Sequence, residues 1–226
     1  MRRFDLVCFD VDGTLVVHPE NKVVWQILNR RFTGDDRKNE ERFLEYVAGR
    51  ISYSDWVDLD MGEWVEAKAT RVQMVEALAE LTLIGGARET VEALRQSGCK
   101  LAVISGTLDL CLDVVVPDHG FDEVYANRVH FDADGLIAGW VATPFDMDGK
   151  ALALREMRER LGIEPERIAY IGDHMNDLAA MREAGYSIAL NPKSPRIEEA
   201  ADAVVRGDDL RAVLPFLLGD GDSRLG

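Results

Sequence analysis

Residues 4–15 read FDLVCFDVDGTL, and the fold turns on how this stretch is parsed. Its first half, FDLVCF, is a short and mostly apolar run, the pattern of a strand buried on both faces. Asp10 and Asp12 follow with one residue between them, and Gly13-Thr14 marks a turn. In an open α/β sheet, ligands bind at the carboxyl ends of the strands. Two carboxylates delivered there are costly to bury unless a partner or a metal ion meets them. An Asp-x-Asp pair alone is equally an ordinary strand-to-loop transition with solvated acids, because exposed Asp is the default. The longer string DVDGTL is far more specific.

After this strand the βα alternation stops until about residue 83. The apolar spacing predicts helices over 21–32, 40–48, 54–67 and 71–81. Val24, Leu28 and Phe32 share one helical face, as do Met74, Leu78 and Leu81. Ser52-x-x-Asp55 and Thr70-x-x-Gln73 have the form of capping boxes opening the third and fourth helices. Trp25, Phe43, Tyr46, Trp56 and Trp64 supply aromatic bulk, for a small core of its own or for the wall of a pocket. Gly85-Gly86 permits a sharp return to the main fold.

Alternation then resumes. A helix over 88–96 ends at Gly98, and the strand KLAVI (100–104) runs into Ser105-Gly106-Thr107. A hydroxyl and backbone N–H groups at a strand end suit an anion, although Ser-Gly alone is a common turn. A short strand is predicted at 121–126. Segments 129–131 and 136–141, joined by Asp132-Ala133-Asp134-Gly135, read as a β-hairpin. Those two acids lack the ligand series of a calcium loop. Lys150 opens an amphipathic helix (151–161) closed by Gly162. A lysine there opposes the helix dipole, unless its ammonium meets an anion. RIAYI (167–171) is the next strand, running into Gly172-Asp173-His174-Met175-Asn176-Asp177 and a helix over 176–183. Strands at 186–190 and 203–205, a helix introduced by Ser194-Pro195 and a closing helix over 208–218 complete the pattern. The tail after Gly219 is expected to fray.

At 226 residues the chain can hold one domain, or one domain with an insert. No apolar run approaches the ~20 residues of a membrane span, and the start reaches Asp5 and Asp10 too soon for a signal-peptide core. Cys8, Cys99 and Cys111 are scattered, which predicts reduced thiols and a cytoplasmic protein. The net charge of −15 argues against a nucleic-acid partner. It permits a small phosphate substrate, because local cations can reverse the field inside a pocket.

DVDGTL, Ser105-Gly106 after a strand, Lys150 and the GDHMND of residues 172–177 resemble, in order, the four motifs of the haloacid dehalogenase superfamily of Mg-dependent phosphohydrolases. The insert resembles the small helical cap of its phosphoserine-phosphatase branch. The resemblance implies a doubly wound, mainly parallel Rossmann-like α/β sheet from residues 1–15 and 84–226, with an all-α cap at 16–83. It also implies Asp10 as nucleophile and Asp12 as the acid that protonates the leaving alcohol and then activates water. Mg²⁺ would be held by Asp10, Asp173 and the backbone carbonyl of Asp12. Ser105, Gly106 and Lys150 would grip the phosphoryl group, with Asn176 and Asp177 in support. The substrate would be a small phosphorylated metabolite, and phosphoserine is the leading candidate.

In that branch a Glu after the first motif and an Arg in the cap read the amino-acid end of the substrate. Glu20 stands one residue late for the former, and the Arg position falls on Asp60. Gly13 replaces the branch's usual Ser, and His174 replaces a Gly. Two other functions share the motifs: a phosphotransferase or mutase on a phosphorylated metabolite, and a catalytically silent phosphate-binding protein.

Overall fold

Alternation along one short strand sorts the molecule into layers. β1 (Leu6–Phe9) is buried throughout, and its side chains point alternately to opposite faces. The computed structural model describes residues 3–147 and 149–218. After β1 come β2 (Val16–Val17), α1 (Val24–Thr33), α2 (Lys38–Val47), α3 (Tyr53–Glu66), α4 (Arg71–Ala77) and β3 (Thr82–Leu83). The chain continues through α5 (Ala87–Gln96), β4 (Lys100–Leu108), α6 (Asp109–Val115), β5 (Glu123–Phe131), β6 (Ile137–Val141) and α7 (Gly149–Leu161). It closes with β7 (Ile168–Gly172), α8 (Leu178–Glu183), β8 (Tyr186–Leu190), α9 (Pro195–Ala200), β9 (Ala203–Val205) and α10 (Leu214–Leu217).

Seven strands form one sheet in the order β6-β5-β4-β1-β7-β8-β9. Every neighbouring pair is parallel except β5 and β6. The chain winds outward from β1 first through β4 to β6, then through β7 to β9. The strand order therefore reverses beside β1, and a crevice opens at its carboxyl end. Leu6, Cys8, Ala102, Ile104 and Tyr170 pack on Ala153, Leu154 and Met157 of α7 and Met181 of α8. Val7, Phe9, Val103 and Ile171 lie in the opposite layer with Leu94 of α5 and Leu217 of α10. This is the doubly wound α/β architecture read from the sequence. The three cysteines are buried thiols. Among the described residues, no helix is long and apolar enough to cross a membrane.

Between β1 and α5 lie the four expected helices, with local details that the pattern missed. Ser52 and Thr70 cap α3 and α4 as capping boxes. However, α4 ends at Ala77, and the segment is not all helix: β2 and β3 pair antiparallel at its two ends, Val16 against Leu83 and Val17 against Thr82. Its aromatic residues divide: Phe43 and Tyr46 gather around Trp56, while the other two tryptophans join the main core. Trp25 and Trp64 stack at 5.4 Å and belong to the same buried cluster as Val7, Phe9 and Leu101 of the sheet. Asp60, at the position expected for an arginine, is fully buried and bonded to Arg42, which also reaches Glu63.

Further differences lie outside the insert: the closing helix expected over 208–218 is a 3-10 turn, Leu210–Val213, followed by the four-residue α10. The strands expected at 121–126 and 129–131 are one strand, β5, because the intervening Asn127 buries and pairs its side chain instead of turning the chain. Helix α6, after Thr107, was not expected at all. The helix expected at 176–183 opens with a 3-10 turn, Met175–Asp177. The fraying expected after Gly219 lies outside the described residues.

Candidate active site

Asp10 continues β1, donating its N–H to Ile171 O (2.9 Å), and so stands at the mouth of the crevice. Its Oδ1 accepts a bond from Lys150 Nζ (2.6 Å). Lys150 is the second residue of α7 and is fully buried. The same ammonium donates to Asp177 Oδ1 (2.7 Å). Burial alone would lower the lysine's pKa, but Asp10, Asp177 and Asp146 around it outweigh that and hold it well above the ordinary value. This accounts for a cation at the head of a helix.

Asp177 is saturated. Its Oδ1 also accepts from Tyr170 Oη (2.8 Å), and its Oδ2 accepts the N–H groups of Asp173 (2.9 Å) and His174 (3.0 Å). It therefore fixes Lys150 and the turn that presents Asp173. Asp173 itself is buried, and its Oδ1 has no hydrogen-bond partner. Burial first, then Asp177 and Asp10, raise its pKa. Asp10 is raised likewise, by burial against the opposing pull of Lys150. Gly13, with φ +85°, leaves room for the Asp173 carboxylate; a side chain there would collide with it. That contact explains glycine at this position.

Asp12 sits apart from that trio. Its Oδ1 accepts the N–H of Val24 (3.2 Å), the first residue of α1, and so caps that helix from outside, beside Gln26 Oε1, which accepts the Val23 N–H (3.1 Å). Burial lifts its pKa to about 6, with the Val24 bond opposing.

Opposite these acids, the β4–β5 register slips between Ile104 and Leu108, which takes Ser105-Gly106-Thr107 out of the regular ladder. The Gly106 carbonyl accepts three donors: Trp25 Nε1 (2.9 Å), Asn127 Nδ2 (2.7 Å) and Tyr53 Oη (3.4 Å). Fixing that carbonyl fixes the plane of the Gly106–Thr107 peptide. The Thr107 N–H then donates to Ser105 Oγ (3.2 Å), which leaves the hydroxyl proton to be donated elsewhere. A side chain at Gly106 would strike Asp146. Asp146 in turn accepts from Asn176 Nδ2 (2.9 Å).

Asp10, Asp12, Ser105, Gly106, Asp173 and Asn176 all line one cavity of about 770 Å³, with Lys150 and Asp177 buried behind it. Glu20 is placed differently. It is exposed, pairs with Lys22 (2.9 Å), and is not among the residues lining the cavity. Asp146, Asn127 and Tyr53 were not anticipated as site residues, and Trp25, expected as core or as pocket wall, lines the cavity and also bonds Gly106. For Asp146 a signal existed: FDMDG at 145–149 repeats the FDVDG pattern of 9–13.

The donors suit a hard cation. Asp10, Asp173 and Asp177 each offer an oxygen, all within 4.8 Å of one another. Asp177 has its lone pairs filled, so Asp10 and Asp173 hold the spare ones. The orphaned Asp173 Oδ1 is the clearest vacant donor, and an all-oxygen set fits an Mg²⁺-type ion.

Fold and site together define a class: an α/β protein that gathers carboxylates around a buried ammonium at the ends of parallel strands. The chain belongs to the haloacid dehalogenase-like hydrolase family, whose model matches residues 4–185. It is 30% identical over 215 residues to the phosphoserine phosphatase SerB2 of Mycobacterium tuberculosis, covering 95% of this chain and 50% of that protein. It is 28% identical over 219 residues to the phosphoserine phosphatase of Methanocaldococcus jannaschii, covering 94% of this chain and 97% of that protein. A structure described as a phospho-aspartyl intermediate analogue of phosphoserine phosphatase matches with a TM-score of 0.76 at 25% identity, over 96% of this chain and 100% of that one. The chain thus spans half the length of the first relative and nearly all of the second.

Proposed function

We propose that the protein is a Mg²⁺-dependent phosphatase that hydrolyses a small phosphomonoester through an aspartyl-phosphate on Asp10. The observation that carries this reading is the pairing of Asp10 with Lys150 at the end of β1, with Asp12 two residues on. An Asp10 oxygen attacks phosphorus, and the bond from phosphorus to the alcohol oxygen breaks. Asp12, raised to about 6, keeps a protonated fraction near neutrality and gives its proton to the departing alkoxide. The resulting Asp12 carboxylate takes a proton from the water that attacks the aspartyl-phosphate, releasing phosphate and free Asp10. Lys150, the Ser105 hydroxyl and the Gly106 amide neutralise the phosphoryl oxygens, which is where most catalysis of phosphoryl transfer lies. Mg²⁺ held by Asp10, Asp173 and the Asp12 carbonyl would supply further charge neutralisation. Asn176 and Asp177 support the shell, the latter through Lys150.

In this reading residues 1–15 and 84–226 are the catalytic core, and 16–83 form a cap that closes over the site and sets specificity. Phosphoserine, the substrate in the names of the relatives above, is the first ester to test. The protein works in the cytoplasm, a setting that suits three buried thiols without a disulfide.

Turnover of an aryl phosphate tests the chemistry. It should vanish with excess chelator, return with Mg²⁺, and fall by at least ~10³-fold in Asp10→Asn, about 4 kcal/mol of barrier. Asp12→Asn should impair alkyl esters more than activated aryl esters. Full activity in chelator, or equal losses on both ester types, would contradict the assigned roles. An added alcohol that outcompetes water as acceptor would identify a phosphotransferase instead.

A further inference from the structure

The insert forms one end of the cavity, with a chemistry of its own. There Phe43, Tyr53 and Trp56 make one aromatic wall; Phe43 and Tyr53 each meet Trp56 edge-on, with ring centroids 6.3 and 6.2 Å apart. Glu40, three residues before Phe43 on α2, lines the same end. Among the described residues, nothing pairs with its carboxylate.

Positive charge on this side is already committed. Arg42 is turned to Asp60 and Glu63 and does not line the cavity. Lys22 does line it, but its ammonium is paired with Glu20 (2.9 Å) and reaches Asp36 (3.4 Å), which Arg30 also meets (3.4 Å). Lys193 stands at the other end, its N–H bonded to the carbonyl of Asp173 (2.9 Å). A carboxylate on the leaving alcohol would therefore meet Glu40 with no uncommitted cation beside it. An ammonium would gain both the Glu40 charge and the ring faces, which attract cations through their quadrupoles.

We propose that this end of the cavity binds an ammonium group, with Glu40 as counter-charge and Phe43, Tyr53 and Trp56 as its wall. The preferred substrate is then the phosphate ester of an amino alcohol that carries no carboxylate. The assignment rests on the phosphatase reading above and narrows it. It also moves ammonium recognition from Glu20, which is neutralised by Lys22, to an acid that is not.

Steady-state kinetics of the full chain with Mg²⁺ test it on five esters: 2-aminoethyl phosphate, its N-trimethyl counterpart, phosphoserine, 2-phenylethyl phosphate and 4-nitrophenyl phosphate. The two ammonium esters that lack a carboxylate should exceed phosphoserine and 2-phenylethyl phosphate in kcat/KM by about tenfold or more. Glu40→Gln, a change at an exposed site, should lower the ratio of kcat/KM for 2-aminoethyl phosphate to that for 4-nitrophenyl phosphate by about tenfold, mostly through KM. A preference for phosphoserine or for the neutral phenyl ester overturns the proposal, as does a Glu40→Gln effect equal on every ester. If no ester is hydrolysed, 4-nitrophenyl phosphate included, it is the phosphatase reading itself that fails.

Discussion

At the residue scale, the centre is governed by carboxylates held closer together than water would leave them. Asp173 is the most exposed to this effect: burial, with Asp177 and Asp10 nearby, favours its protonated form in the folded chain. A carboxyl whose folded pKa lies above its unfolded one contributes stability that is complete below the unfolded value. That stability is lost as pH rises through the folded value. Asp12, raised to about 6, acts with the same sign. The chelator-treated protein should therefore lose Tm as pH is raised from about 5 to about 8. The Tm gain on adding Mg²⁺ should grow over that range, because protons and metal compete for the same oxygens. Thermal melts across pH, with and without Mg²⁺, check this; a Tm that climbs with pH and ignores Mg²⁺ would show that the acids are not crowded. Saturation of Asp177 makes a second claim at this scale. Asp177→Ala leaves Lys150 buried with one partner fewer and should cost roughly 3–5 kcal/mol in denaturant unfolding, as broken buried pairs do. A loss under about 1 kcal/mol, the range of exposed pairs, would remove its structural role. The sequence announced these acids because each lies in a short string at a strand end. The FDMDG repeat marks Asp146 but not its meeting with Gly106, a contact between segments forty residues apart in the chain.

At the scale of elements, the chain of bonds from the insert to Ser105 matters most. Trp25 of α1 and Tyr53 of α3 hold the Gly106 carbonyl, whose peptide orients Thr107 N–H toward Ser105. The insert thereby sets the direction of the Ser105 hydroxyl. Trp25→Phe keeps the ring bulk but removes the donor, and a hydrogen bond of this kind contributes about 0.5–1.5 kcal/mol. The variant should lose about twofold to tenfold in kcat on an aryl phosphate, with little change in Tm. If instead Tm falls and kcat holds, Trp25 is only a packing residue. None of this was legible beforehand, since a tryptophan on an amphipathic helix reads as core. Other elements explain their own legibility. The capping boxes of α3 and α4 were readable because Ser52 with Asp55 and Thr70 with Gln73 are local signals. β2 and β3 were not, since two-residue strands carry no period. Helix α6 was missed because Leu108–Val116 is nearly all apolar, and such a run shows neither helical nor strand periodicity.

At the scale of the whole molecule, the question is whether the insert is a separate body. The sequence suggested one, with aromatic residues enough for a core, but the packing joins it to the sheet. Trp25, Leu28, Met61 and Trp64 share a buried cluster with Val7, Phe9 and Val103. A second attachment lies far from the β2–β3 pair, at the β5–β6 hairpin. There Arg71 N–H bonds Gly135 O (2.8 Å), and Trp140 Nε1 bonds Asp58 Oδ1 (2.6 Å). Insert and core should therefore unfold together. Three of the four tryptophans (Trp25, Trp56 and Trp64) are in the insert, and the fourth, Trp140, touches it. Tryptophan fluorescence thus reports the insert, while far-UV circular dichroism reports helices and sheet throughout. In a urea titration the two signals should give one coincident transition, the test for two-state behaviour. An earlier fluorescence transition would mean that the insert opens by itself and that the shared cluster does not couple it to the sheet. Coincidence would also limit how the insert could move as the proposed cap. It would have to turn as a body on β2 and β3 without leaving the common core, so a Leu28→Ala cavity should lower the stability of both parts, by roughly 2–5 kcal/mol, and shift both signals equally.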